Sequence, residues 1–194
     1  FDIHGMSVAV ERIISAMKKG ETIAVYSDYD CDGIPGGVLL RTFFDDIGYP
    51  VEMYVPHRHN EGYGLHNHAI DDLKKRGVTL MITVDLAITN IDEVAYAKSV
   101  GVDVIVTDHH LPIHKEDDGQ VVPDAVAVIN SKQDVCTYHD DMLCGCAVAW
   151  KLACAVLSKL KDEKSNKGKF GEVVKSVGAL KKKKKKWLLD LVGI

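Results

Sequence analysis

Two short segments of this 194-residue chain concentrate side chains that can do chemistry. Residues 28–33, DYDCDG, carry three aspartates, and residues 107–110, TDHH, carry an aspartate followed by two histidines. Carboxylate oxygens and imidazole nitrogens together suit Mn²⁺ best, with Mg²⁺ a second option and Zn²⁺ less natural without thiolates. Two ions held between carboxylates can activate water and clamp the oxygens of an in-line displacement. The two segments therefore predict a divalent-metal site and point to phosphoester chemistry.

Each acidic segment follows a short β-rich run, and a third such run lies between them. The side chains that follow these three runs are Asp28, Asp30 and Asp32, then Asp85, then Asp108, His109 and His110. The carboxyl ends of parallel strands meet at one edge of a sheet, where ligands bind. An aspartate cluster after a first strand also occurs in single-metal phosphoacceptor domains, and DxDG can be a plain turn. The prediction of a metal site therefore rests on the joint pattern.

The rest of the chain alternates between predicted helices and predicted strands. Apolar spacing predicts helices over 8–18, 36–47, 66–76, 90–100, 143–160 and 172–180. Runs rich in β-formers predict strands over 22–26, 51–55, 80–84, 103–106 and 125–129. Strands separated by helices of this length imply right-handed βαβ crossovers. The predicted fold class is α/β, with a mainly parallel sheet of about five strands and helices on both faces.

Composition narrows the class of protein further. Hydrophobic residues at 46% with 27% charged residues are typical of a globular protein, and no apolar run approaches the roughly 20 residues of a membrane span. Five cysteines without paired spacing favour a reducing, cytoplasmic setting. The spacing of Cys136, His139, Cys144 and Cys146 misses the usual zinc patterns. The lysine run 181–186 can attract nucleic acid, but a solvated linker is the preferred interpretation.

Several motifs resemble, in order and spacing, those of the DHH phosphoesterases. They are YSDYDCDG (26–33), VPHRHNEGYGLH (55–66), ITVDLAIT (82–89), VIVTDHH (104–110) and LCGCAVAWKL (143–152). The second motif, together with the acidic first one, favours the branch of RecJ-type exonucleases, which degrade single-stranded DNA from the 5′ end. The resemblance runs from about residue 8 to the end of the chain.

The resemblance implies a role for each candidate site residue. Metal ligands would be Asp28, Asp30, Asp32, Asp85 and His109, with Asp85 bridging two Mn²⁺ or Mg²⁺ ions. The catalytic residues would be Asp85, Asp108 and His110, where His110 contacts the scissile phosphate and Asp108 orients the histidines. The attacking group would be water, so no protein nucleophile is required.

Two further residues have weaker claims to a role in binding substrate alongside His110. Arg58 can hold a phosphate through two hydrogen bonds, with a solvated loop as the alternative interpretation. Tyr63 can stack on a base, with a tyrosine that covers the sheet edge as the alternative.

The sequence also departs from the family pattern. Ser27, Ala87 and Ala147 stand where the family usually has glycine, so Ala87 is expected to shift the loop that carries Asp85. Over residues 1–194 we expect a DHH catalytic domain that ends before the last metal motif, with a polar, lysine-rich linker at 161–186 and without the C-terminal substrate-binding domain. Asp190 is not expected to replace the missing ligand. A chain of this extent is expected to have weak activity or none alone.

Three functions remain open at this point. The first is hydrolysis of single-stranded DNA, with a single-strand-binding protein or a helicase as protein partners and no membrane. The second keeps the chemistry but acts on short oligonucleotides, cyclic dinucleotides or pyrophosphate. The third is a non-catalytic scaffold in a replication or repair complex, against which the nearly complete set of acidic ligands argues.

Overall fold

A computed structural model of the chain describes residues 2–117, 119–163 and 168–179. Its elements, in chain order, are α1 (Met6–Lys19), β1 (Thr22–Ser27), α2 (Gly33–Asp46), β2 (Glu52–Tyr54), α3 (Asn67–Lys75), β3 (Val78–Val84), α4 (Ile91–Ser99), β4 (Asp103–Thr107), β5 (Ile113–Lys115), β6 (Gly119–Val121), β7 (Ala127–Ile129), α5 (Gly145–Asp162) and α6 (Gly168–Ala179). No helix in these ranges is both long and apolar enough to cross a bilayer.

Five of the strands form one sheet in the order β2-β1-β3-β4-β7, and every neighbouring pair in it is parallel. The predicted fold class, with five strands and alternating helices, is confirmed. After β2 the chain returns across β1 to form β3, so the strand order reverses between β1 and β3. Ligands of open α/β sheets bind at such a switch point, beyond the carboxyl ends of the strands. The site is therefore expected beside β1 and β3.

Apolar residues on both faces of the sheet hold the helices in place. In β3, Leu80 and Ile82 face the core that also contains residues of α1, α2, α5 and α6, whereas Met81 faces the core of α3 and α4. Side chains along a strand alternate between faces, so a strand buried on both sides is apolar throughout. That explains why β1, β3 and β4 appear in the sequence as continuous apolar runs.

The structure differs from the predicted elements in a few places. An antiparallel pair, β5 and β6, was not predicted because its strands have three residues each and are largely exposed. Helix α5 begins at Gly145 because Cys144 has an extended backbone. Helix α6 begins at Gly168, within the range predicted as linker. The lysine run and Asp190 lie outside the described residues.

Candidate metal centre

Backbone hydrogen bonds align three aspartates at the carboxyl edge of the sheet. The amide of Asp28 donates to a carbonyl at the end of β3 (3.1 Å), that of Asp85 to β4 (2.9 Å), and that of Asp108 to β7 (3.1 Å). Each aspartate is the first residue after its own strand. The parallel ladder therefore sets the three carboxylates at the same level, because the amide of each aspartate donates to the last carbonyl of the neighbouring strand.

Asp85 lies at the centre of two groups of candidate ligands. Its carboxylate lies with those of Asp28 and Asp30 on one side and with the rings of His109 and His110 on the other. In each group the ligand atoms lie within 4.8 Å of one another. The His109 Nε2 atom is 3.1 Å from Asp85 Oδ1. The positions predicted from separate loops are thus brought together within the reach of one or two cations.

The burial of Asp85 tests whether these residues fit a metal ion. Its side chain is only 1% exposed, and neither carboxylate oxygen accepts a hydrogen bond of normal geometry within the described part of the chain. A buried carboxylate that accepts no hydrogen bond of normal geometry is costly, and a bound cation is the usual compensation. Asp28 Oδ1 is also buried without a partner there. The donor set fits a hard divalent cation with oxygen and nitrogen ligands.

The carboxylates of the site differ in the direction and size of their pKa shifts. Burial, reinforced by the neighbouring carboxylates of Asp32 and Asp30, raises the pKa of Asp85 to about 6, against the hydrogen bond from His109. Burial likewise raises the pKa of Asp28. Burial acts in the same direction on Asp30, but amide donors at the start of α2 outweigh it and lower its pKa. Asp85 is therefore the carboxylate whose charge most lacks compensation from protein groups.

Imidazole protonation responds to the same carboxylates. The hydrogen bond to Asp85 is the main cause that raises the pKa of His109, and the bond to Asp108 is the main cause for His110. A cation bound at Asp85 would compete with the proton on His109, because a ligating imidazole must be neutral.

Asp32 is held differently from the other predicted ligands. Its Oδ2 accepts a hydrogen bond from the amide of Gly145 (2.6 Å) and its Oδ1 accepts one from the amide of Cys146 (2.9 Å). These amides belong to the first turn of α5, where backbone donors lack helical partners. The Nε2 atom of His109 lies 3.5 Å from Asp32 Oδ2. Asp32 therefore connects the start of α5 to the ligand cluster, and its predicted role as a ligand stays a prediction.

The close approach of α5 requires glycine at its first position. A Cβ atom on Gly145 would lie 2.4 Å from Asp85 Oδ1 and 2.6 Å from the Cβ of Asp85. Such distances are shorter than any real contact of this kind, so the carboxylate or the helix would have to move.

Gly145→Ala is accordingly expected to weaken Mn²⁺ binding by at least tenfold, since a displaced Asp85 no longer aligns with the other ligands. Isothermal titration calorimetry measures this. Gly119→Ala is the control: its Cβ meets nothing within 4 Å, although its φ of +69° makes alanine strained there. That variant should lose stability and keep its affinity for Mn²⁺. Wild-type affinity in Gly145→Ala would contradict the close packing of α5 on Asp85.

Asp108 holds the loops around the cluster in place through both of its carboxylate oxygens. Its Oδ1 accepts from the amides of His109 (2.7 Å) and His110 (3.1 Å) and lies 2.7 Å from His110 Nδ1. Its Oδ2 accepts from the amide of Ile88 (2.9 Å), and the side chain is fully buried. Asp108 thus fixes the His110 ring and also ties the segment 107–110 to the loop that carries Asp85.

That loop contains two non-glycine residues in the left-handed region. Asp85 has φ 65° and Ala87 has φ 87°. Ala87 adopts a left-handed backbone conformation that glycine adopts more easily, and the predicted shift of the loop stays a prediction. The amide of the next residue, Ile88, is held by Asp108. The strain is retained because the surrounding hydrogen bonds determine the loop conformation.

Replacing Ala87 with glycine is expected to change the free energy of unfolding by less than about 0.5 kcal/mol. Relief of about 1–2 kcal/mol of left-handed strain offsets the loss of a buried methyl group and the extra entropy of the unfolded chain. Ala97→Gly, in the same core but within helix α4, has no strain to relieve. It should cost about 1.5–2 kcal/mol. Urea denaturation compares the two, and equal losses would contradict strain at Ala87.

The other two departures from glycine are accommodated by packing. Ser27 is fully buried at the end of β1, and its side chain occupies space beside Gly37, where a Cβ would lie 2.7 Å from the hydroxyl. Ala147 is buried in the first turn of α5.

Arg58 and Tyr63, the two residues predicted to bind substrate alongside His110, lie beside the cluster. The Arg58 guanidinium lies 4.2 Å from the ring centroid of Tyr29, a residue that the sequence analysis did not select although it lies inside the first motif. The Tyr63 hydroxyl donates to the backbone carbonyl of Asp85 (3.3 Å) and lies 3.4 Å from His110 Nδ1. Tyr63 is still half exposed. Its ring is therefore anchored at one end and accessible to a ligand at the other.

Asn130 is a supporting residue that sequence reasoning missed. It is fully buried directly after β7, and its Nδ2 donates to the carbonyl of His110 (2.8 Å). The signal that could have found it is its place after a strand, the same rule that selected Asp28, Asp85 and Asp108. None of the cysteines takes part in a candidate ligand group within the described residues.

A parallel sheet that gathers carboxylates and imidazoles beyond its strand ends, at a reversal of strand order, defines the class of α/β proteins with a metal site at the switch point. Within that class the sequence profile of the "DHH family, N-terminal domain" matches residues 22–176, and the chain belongs to this family.

Relatives with assigned activities are similar over most of this chain. It is 40% identical over 163 residues to the single-stranded-DNA-specific exonuclease RecJ of Bacillus subtilis, covering 84% of the chain and 20% of that protein. The RecJ of Salmonella typhimurium is 37% identical over 171 residues, covering 88% of the chain and 28% of the relative. The crystal structure of exonuclease RecJ bound to manganese superimposes with a TM-score of 0.70 at 27% identity, covering 92% of this chain and 48% of the other. The chain thus spans less than a third of the length of the RecJ proteins of Bacillus subtilis and Salmonella typhimurium.

Proposed function

We propose that this chain is the catalytic portion of a metal-dependent phosphodiesterase that hydrolyses single-stranded DNA from its 5′ end. The observation that carries the proposal is the buried carboxylate of Asp85, which accepts no hydrogen bond of normal geometry and belongs to candidate ligand groups with two carboxylates and with two imidazoles. The similarity to RecJ proteins supports the choice of substrate, since those relatives are specific for single-stranded DNA.

Two Mn²⁺ or Mg²⁺ ions are the proposed cofactors, with Asp85 between them. The proposed ligands are Asp28, Asp30, Asp32, Asp85 and His109. When bound, such ions supply positive charge to the phosphate and lower the pKa of water. The relative whose structure contains manganese supports this choice of metal.

The chain's own residues would orient the substrate around this centre. His110, whose ring is fixed by Asp108, would donate a proton or a hydrogen bond to the scissile phosphate or to the leaving oxygen. Arg58 would hold a neighbouring phosphate, since its guanidinium is exposed above Tyr29. Tyr63 would present its accessible ring face to a base.

Calorimetric titration with Mn²⁺ tests the metal centre without requiring activity. The wild-type chain should bind one or two ions, and His109→Ala should lose most of that binding, because the ring lies 3.1 Å from Asp85. His114→Ala is the matched control, since His114 is 62% exposed on the β5–β6 pair. No binding at millimolar Mn²⁺ would refute the proposed centre and favour a non-catalytic scaffold.

Substrate choice requires a separate comparison. A long single strand labelled at its 5′ end, a duplex of the same sequence, a dinucleotide, a cyclic dinucleotide and pyrophosphate should be incubated with the same Mn²⁺-loaded chain. The proposal expects early release of labelled mononucleotide from the single strand alone. Faster turnover of the dinucleotides or of pyrophosphate would replace DNA with the small substrate and keep the chemistry.

Single-stranded DNA is the proposed macromolecular partner, and a cytoplasmic setting is proposed because the five cysteines of the sequence show no paired spacing. A single-strand-binding protein or a helicase is the proposed protein partner, on the resemblance to RecJ alone. Co-purification of either one with the chain, with and without nuclease treatment, separates direct contact from bridging by DNA.

A further inference from the structure

Glu61 lies outside the ligand cluster, in the segment between β2 and α3. Both oxygens of its carboxylate nevertheless form hydrogen bonds. Oε1 accepts a hydrogen bond from the Tyr54 hydroxyl (2.6 Å) and lies 2.6 Å from His68 Nε2. Oε2 accepts from the amide of His57 (2.5 Å). The side chain is 16% exposed. One carboxylate therefore links the end of β2, the start of the following turn and the first turns of α3.

These bonds close a tight turn around Glu61. The carbonyl of His57 accepts hydrogen bonds from the amides of Asn60 (3.1 Å) and Glu61 (2.9 Å), while the His57 amide donates to the Glu61 side chain. Both backbone groups of His57 are thus engaged by the far side of the turn. Residues 57–60 are exposed between buried Pro56 and buried Leu65, so this polar closure restrains the shape of the exposed part of the turn.

The turn carries the two residues that flank the metal centre. Arg58 lies three residues before Glu61, with its guanidinium over Tyr29, and Tyr63 lies two residues after it, with its hydroxyl at Asp85 and His110. The ring centroids of Tyr63 and His110 are 6.0 Å apart in an edge-to-face arrangement. A change in the turn would therefore move both groups relative to His110.

We propose that Glu61 is a positioning residue that holds Arg58 and Tyr63 against the phosphate-binding side of the metal centre. The part of this inference that concerns substrate rests on the proposed function. Glu61 belongs to neither candidate ligand group of the described residues. It acts through the turn, so its loss should disturb substrate binding and leave metal binding intact.

The electrostatics of Glu61 agree with a permanent acceptor. Burial acts to raise its pKa, but hydrogen bonds from the His57 amide, Tyr54 and His68 outweigh it and lower the pKa to about 2. The carboxylate is ionised wherever the chain is folded near neutral pH, and a charged acceptor makes stronger hydrogen bonds than a neutral amide. Glutamine keeps the size but has only one acceptor oxygen, so it cannot satisfy all three donors.

Histidine ring signals in NMR spectra of the metal-free chain test the inference without any need for activity. In Glu61→Gln the His110 ring signals should shift, because the Tyr63 ring beside them moves. Those signals are assigned by their loss in His110→Gln. The matched control is Glu172→Gln on α6, where the side chain is exposed and the His110 signals should not change.

Tyr54→Phe provides a milder variant, in case Glu61→Gln is poorly folded. It removes one of the three hydrogen bonds to Glu61 and keeps the ring that stacks on Tyr26 at 5.0 Å. The His110 signals should move in the same direction by a smaller amount. Unchanged His110 signals in both variants would overturn the inference.

Binding and kinetics then separate positioning from metal binding. In Glu61→Gln, Mn²⁺ affinity should stay within twofold of wild type, while KM for a 5′-phosphorylated single strand rises about tenfold with little change in kcat. A Mn²⁺ affinity that falls with KM would make Glu61 part of the metal site and overturn the inference. If the wild-type chain binds Mn²⁺ but cleaves no DNA alone, the ring signals and the Mn²⁺ affinity still decide the role of Glu61.

Discussion

Asp85→Asn is expected to abolish Mn²⁺ binding and, in the metal-free chain, to raise the free energy of unfolding by about 1–3 kcal/mol near pH 7.5. The carboxylate is buried beside Asp30 and Asp32, and its oxygens lack hydrogen-bond donors of normal geometry in the described residues. Asparagine has the same shape without the charge, so it removes the repulsion and the desolvation penalty together. Urea denaturation in EDTA measures stability, and calorimetry measures binding.

The stability gain should depend on pH with a defined sign. The pKa of Asp85 is raised to about 6 by burial first and by neighbouring carboxylates second, whereas an unfolded aspartate titrates near about 4. The folded chain therefore binds the proton more tightly, and wild-type stability falls as pH rises through this window. The gain in free energy of unfolding from Asp85→Asn should be largest above pH 6 and should shrink as pH falls toward 4.

Asp117→Asn, in the exposed turn after β5, is the control and should change stability little at any pH. A loss of stability in metal-free Asp85→Asn across the whole pH range would mean that Asp85 has protein partners in solution. The assignment of this carboxylate to a cation would then fail.

Asp108→Asn is expected to have the opposite effect, a loss of about 2–4 kcal/mol whether or not Mn²⁺ is present. Its two oxygens accept bonds from three backbone amides and one histidine ring. Asparagine keeps only one acceptor oxygen. Its NH₂ group would therefore face either the amide of Ile88 or the loop that carries His110. Urea denaturation with EDTA and with saturating Mn²⁺ measures both values.

The two substitutions remove the same charge from two buried positions of one sheet edge. Opposite signs in the metal-free chain would distinguish a carboxylate kept for a cation from one kept for backbone donors. Parallel losses would contradict the hydrogen-bond assignments at Asp85. A neutral effect at Asp108 would contradict those at Asp108.

Much of the fold and the convergence of the site could be predicted from sequence. Strands β1, β3 and β4 are rich in apolar and β-branched residues because both faces are buried, and an aspartate follows each of them. Parallel pairing then places Asp28, Asp85 and Asp108 at one edge. That inference uses only strand period and strand direction, which are local properties of the chain.

The division of labour among the carboxylates could not be predicted in the same way. Asp85 and Asp108 both follow strands, but only the three-dimensional position of neighbouring amides leaves Asp85 without a backbone donor and gives Asp108 three of them. The link from Asp32 to α5 joins residues 113 positions apart. The role of Glu61 depends on a turn whose residues have no periodic pattern. The pair β5 and β6 was missed because none of its residues is buried and its strands form no apolar run, unlike the equally short β7.

The bond between Asp32 and the first turn of α5 has a consequence for synthesis on the ribosome. A chain emerges from its N-terminus at about 5–20 residues per second. Asp28, Asp30, Asp85 and His109 are all translated before Gly145, so a nascent sheet can gather most of the acidic cluster early. Asp32 acquires its amide donors only when α5 has left the exit tunnel and packed on the sheet. Until then the cluster is open on that side, and a divalent cation that binds early would hold the edge together while translation continues.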